Sequence, residues 1–142
     1  MIYLEKPENF VVQFEAVGCF VESKGQFLQL LRGNRKIEPY KWGSPAGGVE
    51  KGESAEIAVA RELREETGLV MLPEQFRRIV TFFVKYPVCN FTYTLFWINY
   101  KYRPEIRLSD EHVAYTWIPP HLAKTLDLMQ DEWECIKVIY VL

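Results

Sequence analysis

Residues 10–21, FVVQFEAVGCFV, are β-branched and aromatic, and a second apolar run at 26–32 follows across Glu22-Ser23-Lys24-Gly25. That combination predicts a two-stranded hairpin. The period then changes. From Ser54 to Thr67 the pattern is helical, with Ile57, Val59 and Leu63 turned toward a core. Gly68 predicts the stop, because its missing Cβ permits a left-handed C-terminal turn. The two most aromatic runs, 75–86 and 89–102, are separated only by Pro87-Val88 and read as long paired strands. Phe91, Tyr93, Leu95 and Trp97 alternate with Thr92, Thr94, Phe96 and Ile98, a pattern only partly amphipathic. Such a sheet is expected to be covered by helices on both faces. A short strand at 105–108, a loop Ser109-Asp110-Glu111, a strand at 112–118 and a helix opened by Pro119-Pro120 follow. The last segment, 131–140, sets Trp133, Ile136, Ile139 and Tyr140 at helical spacing as a core-facing stripe.

A chain of 142 residues with 49% hydrophobic content suits one domain, residues 1–142, with a substantial core. A formal charge of −2 gives no electrostatic reason to expect nucleic acid or an anionic membrane as partner. It leaves room for a local basic cluster that grips a phosphorylated small molecule. Cys19, Cys89 and Cys135 are scattered without a C-x-x-C pair, which points to reduced thiols and a cytoplasmic setting. The opening MIYLEKPENF has neither the basic start nor the apolar run of an export signal, and no membrane-spanning stretch is expected.

Candidate chemistry concentrates between the hairpin and the end of the first long helix. Arg32, Arg35, Lys36 and Lys41 surround a loop containing Gly33, Asn34 and Pro39. They read either as a solvated connector or as a basic rim that receives phosphate oxygens. Trp42-Gly43-Ser44-Pro45-Ala46 then leads into Gly47 and Gly48. Its irregular path would leave carbonyls free to ligate a metal and amides free to face anionic oxygen. On the helix, Glu62, Glu65 and Glu66 stand at i, i+3 and i+4, and so share one face within about 100° of arc. Like charges that close repel, and the arrangement predicts a hard divalent cation, Mg²⁺ with Mn²⁺ as a substitute. Ala55 and Ala58 fall on the same arc and are expected to leave room for the ion and its ligand. Carboxylates beside a glycine-rich turn suit a substrate that brings phosphate charge, and hydrolysis of a pyrophosphate is the natural reaction.

The stretch 47–69 reads G-x5-E-x7-R-E-L-x-E-E-x-G-L without a mismatch, through Gly47, Glu53, Arg61, Glu62, Leu63, Glu65, Glu66, Gly68 and Leu69. It resembles the Nudix box of the Nudix hydrolases. The resemblance implies an α/β fold, an α/β/α sandwich around a mixed β-sheet, and cleavage of nucleoside diphosphates linked to another moiety. It also implies Glu65 and Glu66 as principal metal ligands, Glu62 as a third ligand or the base for water, and the carbonyl of Ala46 or Gly47 in the inner shell. Arg61 would orient a carboxylate, Glu53. Arg32, Lys41, Gly47 and Gly48 are the candidate phosphate contacts. Glu111 is the candidate base or ligand outside the box. Its surroundings, Arg107 to Trp117, are similar to a segment of the asymmetric dinucleoside tetraphosphate hydrolases and of dihydroneopterin triphosphate pyrophosphatases. His112 beside it reads as a strand residue with a satisfied side chain, the alternative being catalysis or metal binding.

Tyr86 lies 17 residues past the end of the box and resembles a tyrosine that dinucleoside polyphosphate hydrolases carry there, while the ADP-ribose branch would place proline where this chain has Val84. A tyrosine suits stacking against adenine. The expected substrate is therefore a dinucleoside polyphosphate such as diadenosine tetraphosphate. Pro45-Ala46-Gly47 departs from the P-K-G motif of those hydrolases, so a (d)NTP or dihydroneopterin triphosphate is the alternative. A non-catalytic nucleotide sensor would be expected to lose box glutamates, and none is lost; RNA decapping would want a larger basic surface.

Overall fold

The computed structural model describes residues 1–34 and 36–141; Arg35 of the basic rim lies outside them. Among the described residues, eight strands form one mixed sheet in the order β1-β6-β7-β2-β3-β4, with β5 paired to β2 and β8 to β3. The strands are β1 (Ile2–Tyr3), β2 (Phe14–Ser23), β3 (Gln26–Arg32), β4 (Trp42–Gly43), β5 (Ala46–Gly48), β6 (Arg77–Lys85), β7 (Asn90–Tyr100) and β8 (His112–Ile118). The helices are α1 (Ala55–Thr67) and α2 (Glu132–Tyr140). At the centre, β2 runs parallel to β7 from the pair Phe14↔Phe91 to the pair Ser23↔Tyr100.

Strict alternation along the central strands supplies two cores. Val17, Cys19, Val21, Leu28, Leu30, Phe96 and Ile98 face α1, where Ala58, Val59 and Leu63 meet them. Phe20, Phe27, Phe82, Val84 and Leu95 face the other way, against Cys135 and Ile136 of α2. One helix on each face is the sandwich expected from the half-amphipathic aromatic strands. The terminal stripe behaves as read, with Ile136 fully buried and Trp133, Ile139 and Tyr140 packed at the margin.

The hairpin of β2 and β3 is tight only at its turn, where Glu22 pairs with Phe27 and Ser23 with Gln26. Beyond that point the strands part. The edge of β2 is taken by β5 through Ala16, Val17 and Gly18, and the edge of β3 by β4 through Leu30 and Leu31. The chain crosses the opening at Ser44-Pro45, where the Cys19 amide donates to the Pro45 carbonyl at 2.9 Å. The glycine-rich loop is thereby seated in a split of the sheet, directly beneath α1.

Helix α1 begins and ends for the reasons its sequence suggests. The Ser54 hydroxyl caps it by accepting from the Ile57 amide at 3.1 Å, and Gly68 closes it at φ 77°, a left-handed angle that favours glycine. Its faces are assigned differently from expectation. Ala58 is fully buried, so its small side chain serves close approach to the sheet and makes no space for an ion. Ile57 is 48% exposed and lies outside the core. No strand forms at 105–108. Pro104 has no amide to give a ladder, the Arg107 amide donates to the Thr67 carbonyl at the end of α1, and Ile106 is buried there. The segment after Pro119 makes a 3-10 helix, Pro120–Thr125. All three thiols are unpaired, Cys19 and Cys135 in the core. No helix among the described residues is long and apolar enough to cross a membrane.

Leu63→Ala should cost about 2–5 kcal/mol in urea unfolding because it empties the contact between α1 and the sheet. Ile57→Ala, one and a half turns away on the exposed side, should stay within about 0.5 kcal/mol.

Candidate active site

Gly47 is where loop and helix meet. A methyl group there would overlap the Glu62 carboxyl, so only glycine lets that side chain lie against the backbone. Around this contact a cleft of about 340 Å³ is lined by Glu62, Glu65, Glu66, Glu111, Ala46 and Gly47, with Lys36 and Arg61 on its walls. The three helix acids and the distant Glu111 thus share one space.

Arg61 organises it. Its Nε and Nη2 donate to the two oxygens of Glu53 at 2.7 and 2.9 Å, a planar fork onto a carboxylate. Nη2 also donates to the Gly48 carbonyl at 2.9 Å, while Nη1 reaches Glu62 at 2.8 Å and Glu65 at 3.3 Å. Glu53 in turn accepts from the Glu50 amide at 2.8 Å. Hydrogen bonding from Arg61 and that amide holds the Glu53 carboxyl down to about 2.

The acids differ in surroundings. The Glu65 side chain is 53% exposed, whereas that of Glu66 is 5% exposed and accepts from the Ala46 amide at 2.8 Å. Burial pushes Glu66 up to about 8 despite that hydrogen bond, and raises Glu62 as well. Glu111 is held below the usual carboxylate range by Lys36, whose ammonium donates to it at 2.7 Å. His112 follows on β8. Burial lowers its imidazole to about 4, and its Nδ1 has no hydrogen-bond partner among the described residues, contrary to the satisfied strand residue expected from sequence.

A second, larger cavity of about 510 Å³ shares Lys36, Ala46, Gly47 and Glu66 with the cleft and continues past Gly48 into the sheet opening. Its walls are aromatic. Tyr86, Phe14, Phe91 and Tyr93 line it, with Phe14 stacked on Phe91 at 4.6 Å and Tyr86 edge-on to Phe91 at 5.7 Å. The Tyr86 hydroxyl donates to Asp131 at 3.1 Å. Arg32 lines the same cavity, makes no ion pair among the described residues and leaves its Nε without a partner. Lys41 is not brought to either space. Its ammonium is bound to Asp127 at 2.8 Å, and Lys36 takes the position between them.

Sequence reading missed Glu132. It is buried at the cavity wall, where its Oε1 accepts from Ser44 Oγ at 2.8 Å and Gln29 Nε2 at 3.3 Å. An acid in the first turn of a helix ordinarily just complements the helix dipole, so nothing local marked it.

Oxygen donors converge beside a glycine-rich turn, and an aromatic cavity of nucleotide size adjoins them. A family model for the NUDIX domain matches residues 12–138, and the chain belongs to that family. It is 36% identical over 83 residues to the asymmetrical bis(5'-nucleosyl)-tetraphosphatase of Mus musculus, covering 56% of each chain. It is 35% identical over 81 residues to the RNA pyrophosphohydrolase of Caulobacter vibrioides, covering 57% of this chain and 38% of that one. The chain thus spans about half or less of the length of these relatives. Among solved structures, an Ap4A hydrolase binary complex of C. elegans superposes with a TM-score of 0.73 at 20% identity, over 90% of this chain and 96% of that one.

The buried acids and His112 give the metal-free protein a characteristic pH response. Glu66, raised in the folded state, binds its proton more tightly than in the unfolded chain, so it subtracts stability as pH rises from about 4.5 to about 8. His112, lowered in the folded state, acts oppositely between about 4 and 6.5. Above pH 6.5 only the carboxyl contribution remains. Melting in EDTA should therefore fall from pH 6.5 to 8, Mg²⁺ should reverse the fall, and Glu66→Gln should flatten it.

Proposed function

We propose that this chain is a divalent-metal-dependent pyrophosphohydrolase acting on a dinucleoside polyphosphate such as diadenosine tetraphosphate. The observation that carries this reading is the shared wall of cleft and cavity. Lys36, Ala46, Gly47 and Glu66 border both, so a molecule with a base among the aromatic side chains would lay its phosphate chain across the carboxylates.

The donor set fits a hard cation. Glu62, Glu65, Glu66 and Glu111 supply carboxyl oxygens, and a cation between them would displace the proton that burial favours on Glu66. Glu65 and Glu66 would hold Mg²⁺ or Mn²⁺, with Glu111 and a loop carbonyl as further ligands. When bound, the ion neutralises phosphate charge and makes water a stronger acid. In the step itself the oxygen of water bonds to phosphorus as the bridging P–O bond breaks, and the leaving phosphate departs as an anion. Glu62 takes the proton from water, since burial raises its affinity for one toward the operating pH. Arg61 keeps Glu62 aimed into the cleft and Glu53 locked to the loop. Lys36 and Arg32 face the negative charge that accumulates on the phosphate chain, and Tyr86 stacks on one base.

A Mg²⁺-supplemented panel of dinucleoside polyphosphates, (d)NTPs, dihydroneopterin triphosphate, ADP-ribose and 5'-triphosphorylated RNA, with products resolved, tests the assignment. The tetraphosphate should show the highest kcat/KM. Tyr86→Ala should lower that value by about 1–3 kcal/mol, chiefly through KM. Glu65→Gln should lower kcat on the order of a hundredfold with the circular dichroism unchanged. A (d)NTP preferred by tenfold would assign the alternative substrate. ADP-ribose preferred by that margin would refute the role of Tyr86, and no turnover of any compound would return the chain to a nucleotide-binding role.

A further inference from the structure

His112 occupies the first position of β8, 9% exposed, with Nδ1 unpartnered among the described residues and 3.9 Å from Glu66 Oε2. Buried imidazole nitrogens almost always have a hydrogen-bond partner, so an orphaned one aimed at a carboxylate is anomalous. The Ala46 amide occupies only Oε1 of Glu66, which leaves Oε2 toward the ring uncommitted. Glu111 completes the group: one donor atom from each of Glu66, Glu111 and His112 lies within 4.8 Å of the others. Around an octahedral ion, neighbouring donors stand about 3 Å apart and opposite donors about 4.3 Å.

We propose that Glu66, Glu111 and His112 form a mixed oxygen-and-nitrogen cation site at the junction of cleft and cavity, with His112 Nδ1 as a direct ligand. Glu66 borders both spaces, His112 the cavity and Glu111 the cleft, so the ion sits where the two join. An imidazole donor shifts preference from Mg²⁺ toward Mn²⁺ and the later divalent metals. Glu111, drawn to the ion, would release Lys36 toward the cavity. The inference rests on the reading of the cleft as a metal site and adds to it a nitrogen ligand that the acidic box cannot supply.

Electron spin-echo modulation of Mn²⁺ bound to the full chain tests it, because a directly bonded ¹⁴N leaves a signature that oxygen ligands lack. The wild type should show that coupling, and so should His121→Gln, which removes the only other histidine, an exposed one. His112→Gln should lose the coupling and weaken Mn²⁺ binding about tenfold or more, with Mg²⁺ affinity changed by less than about threefold. Wild-type protein that binds Mn²⁺ without nitrogen coupling would overturn the ligand assignment while leaving the carboxylate site intact. Coupling that persists in His112→Gln would do the same. Failure to bind Mn²⁺ at all would overturn both, and the wild-type spectrum decides the matter even if the variant folds poorly.

Discussion

The guanidinium of Arg61 is the constraint on which the site depends. It binds both oxygens of Glu53, the Gly48 carbonyl, Glu62 and Glu65, and so ties the glycine-rich loop to the face of α1 that carries the acids. Two separate jobs follow from one side chain. The loop is held close enough that Gly47 touches Glu62, and the acids nearest it are aimed while others stay available. Among the described residues, Glu50, Glu62, Glu65, Glu66, Asp110 and Glu111 line the cleft beside the cations Arg61 and Lys36. That excess of acidic groups makes the cleft attractive to cations. Arginine is required, because a lysine is a point donor and could not span Glu53 and the loop carbonyl with one planar group.

The rest of the fold sets an aromatic cavity beside those acids. Because β2 and β3 part beyond their turn, the sheet opens, and β4, β5 and the Ser44-Pro45 crossing occupy the gap. The opening has α1 on one side and the start of α2 on the other, so acids from both faces of the sandwich reach it. Glu66 comes from the first, Glu132 from the second. Aromatic residues of β2 and β7, together with Tyr86, make the outer wall. The acidic cleft and the aromatic cavity are therefore two ends of one split in a sheet, joined at Lys36 and Gly47.

Local features were legible in the sequence and remote pairings were not. Ser54 and Gly68 bound α1 because caps act within a few residues. The central strands follow from their β-branched and aromatic runs, and the helices on both faces from an alternation that is only partial. The convergence of Glu62, Glu65 and Glu66 follows from helical spacing. Which lysine serves the site did not follow: Lys36 and Lys41 are equivalent on paper, and the choice is made by Glu111 and Asp127, 75 and 86 residues away. Glu132 looks like an ordinary first-turn acid until Gln29 and Ser44 are brought to it through the sheet. His112 looks like a strand residue until its ring is seen facing Glu66. Ala58 shows the converse error, a small residue that seemed to make space for an ion and in fact lets the helix lie flat on the sheet.

We read the cleft under Gly47 as holding divalent metal by way of the box acids. Anomalous diffraction at the manganese edge from crystals soaked in Mn²⁺ tests it without reference to substrate or turnover. Density is expected within bonding distance of Glu65 and Glu66, extending toward Glu111 and His112. Density confined to surface acids, or none in the cleft with the side chains of Glu62, Glu65 and Glu66 unmoved, would contradict it.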